Sequence, residues 1–92
     1  NTPELKIQIA DDEKFDFMKR FIQETKFSDA KKILIDGLRA EFPNGWGLIR
    51  ASNTTPCLVA RFEADSAENL DDIQGLFKIA LHAVDESLEI PF

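Results

Sequence analysis

From Phe42 to Phe62 the chain runs for 21 residues without an aspartate or glutamate, although 17 of its 92 residues are acidic. An even spread would place about four acids in that window. Arg50 and Arg61 give the window a charge of +2, against −6 for the whole chain. Trp46, Leu48 and Arg50 alternate with Gly47, Ile49 and Ala51, the two-residue period of a strand. A hairpin of buried strands would exclude acids simply because core positions do. The window also has a functional reading. Ser52-Asn53-Thr54-Thr55, closed by Pro56, supplies four short polar side chains able to donate hydrogen bonds. Backbone N–H groups in such a bend can converge as an anion-binding nest, with Arg50 at its edge as a fixed positive charge. A phosphate is the anion this chemistry suits.

The flanking sequence supplies a core. Residues 1–4 read as a polar linker, and Leu5, Ile7 and Ile9 alternate with Lys6 and Gln8 as a first strand. Asp11-Asp12 can cap a helix whose apolar stripe comprises Phe15, Phe17, Met18, Phe21 and Ile22, ending about Glu24. A polar loop follows from Phe27 to Lys32. Ile33-Leu34-Ile35 and Leu38–Phe42 then read as two strands joined by a two-residue Asp36-Gly37 turn, which supplies the positive φ such turns require. After the Pro43-Asn44-Gly45 turn comes the Trp46 strand. Pro56 opens the last strand, with Leu58, Ala60 and Phe62 on one face and Arg61 on the other, where a neighbouring acid is its expected partner. Asp65 and Glu68 form a capping-box-like start. Leu70, Ile73, Phe77, Ala80, Leu81 and Val84 repeat at helical spacing, with Gly75 off the stripe and His82 an exposed bystander. The order is β-α-β-β-β-β-α. It describes an α+β domain with an antiparallel sheet and two helices on one face.

Composition narrows the function. A domain of this size buries roughly 60–65% of its unfolded surface, enough to fold alone. The single Cys57 cannot form an internal disulfide, sits in an apolar strand and is expected to be a packed thiol; no zinc-like cluster is present. Net charge −6 argues against sequence-independent nucleic-acid binding. The absence of a transmembrane run or secretory leader makes a cytoplasmic, membrane-independent protein the expectation. Asn53-Thr54-Thr55 matches a glycosylation sequon by chance on that reading.

The stretch Gly45-Trp46-Gly47-Leu48-Ile49-Arg50-Ala51-Ser52-Asn53-Thr54-Thr55-Pro56, followed by Cys57 to Asp65, resembles the last domain of bacterial phosphomannomutase/phosphoglucomutase enzymes of the α-D-phosphohexomutase superfamily. The resemblance covers essentially all 92 residues. It implies a single excised C-terminal domain of TATA-box-binding-protein-like architecture, without importing DNA binding. Enzymes of that family interconvert 1-phospho and 6-phospho mannose or glucose through a bisphosphorylated intermediate. Their phosphoserine and Mg²⁺ belong to an earlier domain, so this chain is expected to bind no cofactor and to be inactive alone. The resemblance makes Arg50, Ser52, Asn53 and Thr54 ligands of the substrate phosphate that is not transferred, with Thr55 in support. The implied partners are the phosphosugar and the other domains of the parent enzyme. A stand-alone interaction module, with the polar loop a mere hairpin connection, is the alternative.

Overall fold

Four antiparallel pairings build a single sheet in the order β1-β5-β4-β3-β2. The computed structural model describes residues 4–34 and 36–92. Its elements are β1 (Leu5–Gln8), α1 (Lys14–Glu24), β2 (Lys31–Ile33), β3 (Leu38–Phe42), β4 (Gly45–Ala51), β5 (Cys57–Ala64) and α2 (Ala67–Val84). This is the expected element order, with the two helices on one face of the sheet.

Strand alternation decides which face the helices cover. Gly47 and Ile49 of β4 lie opposite Phe62 and Ala60 of β5, and all four are buried. Ile7, Leu38, Ala40 and Leu58 join them, and Phe17, Met18 and Phe21 of α1 and Ile73, Phe77 and Leu81 of α2 complete the core. Phe21, Phe62 and Phe77 are fully buried. Burying a side chain of that size contributes about 1.5–3 kcal/mol. Trp46, Leu48, Arg61 and Glu63 stand on the other face, where the Arg39 guanidinium lies 4.2 Å from the Trp46 ring centroid.

Several local expectations are corrected. Lys31-Lys32 is strand rather than loop. Lys32 pairs with Ala40 on the helix side and donates its ammonium to the carbonyls of Ile22 and Thr25. An edge strand tolerates lysines, and this one supplies a cation to the end of α1, whose own last turn has none. β2 therefore ends at Ile33 and β3 begins at Leu38, with Asp36 at φ 59° and Gly37 at φ 152° between them. Leu34 is exposed, and the Ile35 part of the expected strand lies outside the described residues. So do residues 1–3 of the expected linker.

Helix α1 starts at Lys14, later than Asp11-Asp12 would imply. Glu13 occupies the cap position without a side-chain bond, because Asp11 is engaged by the Lys14 ammonium at 2.7 Å. Phe15 is exposed, and the buried stripe is Lys14, Phe17, Met18 and Phe21. At α2 the cap is Ser66 rather than Asp65. Its hydroxyl oxygen accepts the Asn69 N–H, while the Asp65 N–H donates to Asn44. His82 is half-buried, not a bystander: its Nε2 is 3.0 Å from the Leu88 carbonyl, tying down the tail that follows α2. Arg61 has no ion pair among the described residues, contrary to expectation.

Candidate functional site

The chain turns sharply between β4 and β5, and the turn is braced at both ends. The Ser52 N–H donates to the Cys57 carbonyl at 3.0 Å, and the Cys57 N–H donates to the Thr55 carbonyl at 2.8 Å. The Ile9 N–H reaches the Pro56 carbonyl at 3.3 Å, anchoring the bend to the segment after β1. The Thr55–Pro56 peptide is trans.

Ser52 organises the interior of the turn. Its hydroxyl oxygen, on a buried residue, accepts the N–H groups of Thr54 (3.3 Å) and Thr55 (3.2 Å) and the Thr55 hydroxyl (2.8 Å). Because the Thr55 proton goes to Ser52, the buried Cys57 thiol, 3.1 Å away, donates to the Thr55 oxygen. This corrects part of the expected nest. The Thr54 and Thr55 amides point at Ser52 and not outward. A short hydroxyl two residues before an amide competes effectively for it.

Donors remain on the outside. Asn53 and Thr54 are exposed, and neither side chain is hydrogen-bonded to another described residue. The Ser52 hydroxyl oxygen, by contrast, is taken up inside the turn by its three donors. Arg50 is half-buried and makes one loose ion pair, at 3.8 Å with Glu4. At that distance and exposure the pair is weak, so the guanidinium is not sealed by it. Arg50 and Asn53 share the wall of a cavity of about 400 Å³ with Gly37, Asp36 and the α1 residues Phe15, Met18 and Ile22. Gly37 is required there. A Cβ on it would stand close to the Ile49 carbonyl and 2.8 Å from the Arg50 Cβ.

One residue of the site was missed in the sequence. Lys14 donates to the Thr55 carbonyl at 3.0 Å across 41 residues, with its side chain 3% exposed. The signal was its spacing. Lys14 lies three, four and seven residues before Phe17, Met18 and Phe21, on the buried stripe of α1. No group of three or more His, Cys, Asp or Glu among the described residues could hold a metal ion. None of the helices described is long and apolar enough to cross a membrane.

Residues 4–78 match the family model described as phosphoglucomutase/phosphomannomutase, C-terminal domain. The chain belongs to this family. The family domain here is 45% identical over all 92 residues to the phosphomannomutase/phosphoglucomutase of Pseudomonas aeruginosa, of which it spans 20%. It is 45% identical over 85 residues to the phosphoglucomutase of Neisseria meningitidis serogroup B, covering 90% of this chain and 18% of that protein. Among solved structures, a phosphoglucomutase/phosphomannomutase family protein from Burkholderia thailandensis superposes with a TM-score of 0.83 at 38% identity. The match covers 100% of this chain and 20% of that one. The phosphoglucomutase/phosphomannomutase C-terminal domain thus spans about a fifth of the length of these relatives.

Proposed function

We propose that this chain is the phosphate-gripping domain of a phosphohexomutase that interconverts 1-phospho and 6-phospho mannose or glucose through a bisphosphorylated sugar. The observation that carries the reading is a braced turn with exposed Asn53 and Thr54 side chains, entered through Arg50, whose guanidinium has only a loose ion pair among the described residues. Arg50 supplies charge and a forked pair of hydrogen bonds, which suit a phosphate oxygen pair. Ser52 and Thr54 offer hydroxyl protons, Asn53 its amide, and Thr55 supports Ser52 from behind. A clamp of this kind reads phosphate and not sugar stereochemistry, so it accepts either end of a bisphosphate that turns over between two transfer steps.

The chemical step lies outside these residues. In the proposed enzyme a phosphoserine and Mg²⁺ in an earlier domain supply phosphoryl transfer. The carboxylates described here form no cluster suited to that ion. What this domain contributes is orientation of the sugar and, on closing against the other domains, exclusion of water from the reacting phosphate. Charge-assisted hydrogen bonds are worth ~1.5–3 kcal/mol net, so four sum to about 6–12 kcal/mol. Immobilising a small ligand opposes this by an estimated ~4–15 kcal/mol. The 92-residue chain alone is therefore expected to bind phosphate only in the millimolar range or weaker, and to have no mutase activity. Titration of the chain with inorganic phosphate, followed by amide NMR, tests the reading. Shifts confined to residues 50–55 are expected; a spectrum unmoved at high millimolar phosphate overturns it.

A further inference from the structure

We propose that Lys14 is the positioning residue of the Ser52–Thr55 loop, holding the Thr55 carbonyl turned away from an incoming anion. The inference rests on the phosphate-gripping reading of this loop. An anion-binding turn has a geometric difficulty: every peptide that offers an N–H also carries a carbonyl, whose oxygen repels the guest. The Thr55 carbonyl points inward here, where it accepts both the Cys57 N–H at 2.8 Å and the Lys14 ammonium at 3.0 Å. A carbonyl has two lone pairs, and this one has both occupied. With Thr55 oriented in this way, its hydroxyl and N–H both meet the Ser52 oxygen. The exposed Asn53 and Thr54 side chains are thereby left for the ligand.

The ammonium is itself fixed. Lys14 opens α1, its stem lies in the buried stripe with Phe17, Met18 and Phe21, and Asp11 holds it at 2.7 Å. The Phe15 ring, 5.2 Å from the ammonium, lies against it and also lines the cavity shared by Arg50 and Asn53. A buried lysine needs such partners, since an unpaired ammonium away from water is strongly disfavoured. Lys14 does not reach the ligand; its buried charge acts through the Thr55 carbonyl.

The test uses the 92-residue chain, inorganic phosphate as the probe, and Lys14→Met, which keeps an apolar stem of similar length, frees the exposed Asp11 and leaves the Thr55 carbonyl with the Cys57 N–H alone. Phe21→Leu serves as a control that weakens the α1 core without touching the loop. The expected result is phosphate affinity lowered at least tenfold in Lys14→Met and unchanged in Phe21→Leu. Amide hydrogen exchange at Thr54, Thr55 and Cys57 should also accelerate about tenfold in Lys14→Met alone. If the wild type binds phosphate at the loop and Lys14→Met binds equally well, the role of Lys14 is refuted while the phosphate reading stands. If the wild type does not bind, the phosphate reading fails, and unaltered exchange in Lys14→Met then refutes the positioning role separately. Should Lys14→Met not fold, the wild-type Lys14 ammonium resonance decides. It must be slow to exchange with water, and one that exchanges as fast as exposed lysines refutes the proposal.

Discussion

Gly47 of β4 faces the ring of Phe77 of α2 so closely that a Cβ would stand 2.5 Å from Cε1 and 2.8 Å from Cζ. Phe62 closes the other side, its Cδ1 2.9 Å from the same point and its ring 5.3 Å from Phe77 in an edge-on pair. The sheet therefore has a seat for one aromatic ring that only glycine leaves open. Gly47→Ala should destabilise the chain by about 1–3 kcal/mol, the usual cost of overpacking. In a domain this small each kcal/mol lowers the melting temperature by roughly 4–8 °C. Chemical denaturation of the variant checks this, and an unchanged midpoint would show that α2 moves aside freely.

Arg50 and Glu4 yield a pair of opposite predictions. Arg50→Ala removes charge-assisted bonds to phosphate worth ~1.5–3 kcal/mol, so affinity should fall by roughly 10- to 150-fold. Glu4→Gln removes a competing anion 3.8 Å from the guanidinium. Since a pair this exposed is worth no more than about 1 kcal/mol, affinity should rise by up to about fivefold. Phosphate titrations of both variants should diverge from the wild type in opposite directions. Parallel losses would mean that Glu4 positions Arg50 for the ligand instead of competing for it.

Ser52→Ala takes away the acceptor for three donors at once. Thr54 and Thr55 are exposed, so water replaces part of what is lost and the stability cost should be about 1 kcal/mol. The loss of phosphate binding should be larger than that stability change implies, because the turn loses its internal brace along with one donor. Comparing urea midpoints with phosphate titrations of the same variant separates the two effects.

Asp85 gives the fold one acid-sensitive contact. The Ser87 hydroxyl at 2.6 Å and then the Ser87 N–H at 3.0 Å donate to its carboxylate, holding its pKa below the ordinary 3.8. A depressed carboxylate stabilises the fold above its unfolded pKa, and that contribution disappears as pH falls through the lower, folded value. Asp85→Asn keeps an oxygen able to accept both bonds but cannot titrate. Its stability should therefore decline less than wild type on acidification below about pH 4. Urea midpoints across the acid range read this directly, and parallel pH profiles for the two proteins would contradict it.

Much of this protein was legible without coordinates. Alternation in Leu5–Ile9 and Trp46–Ala51, and helical spacing through Ile73, Phe77 and Leu81, specified the order β-α-β-β-β-β-α. Such periods are local consequences of backbone geometry, and the apolar side chains that follow them must share one core. The residues proposed for the site, Arg50 in β4 and Ser52, Asn53, Thr54 and Thr55 in the turn after it, stand out as candidates because residue type and close spacing occur together in the chain. The element ends were less legible. Lys31 and Lys32 look like loop until the sheet edge and the end of α1 are seen to need them, and Asp11 looks like a cap until Lys14 claims it.

The tertiary structure decided what depended on partners far apart in sequence. Lys14 meets Thr55 only after α1 packs against the sheet, and His82 meets Leu88 only after the tail folds back. Which loop amides point outward was likewise unreadable, because Ser52 could bond inward or to a ligand with the same residues. Local periodicity encodes elements and the face each one buries. The partners of a buried polar group are settled when water leaves, since an unsatisfied donor or acceptor then costs more than any local preference gains.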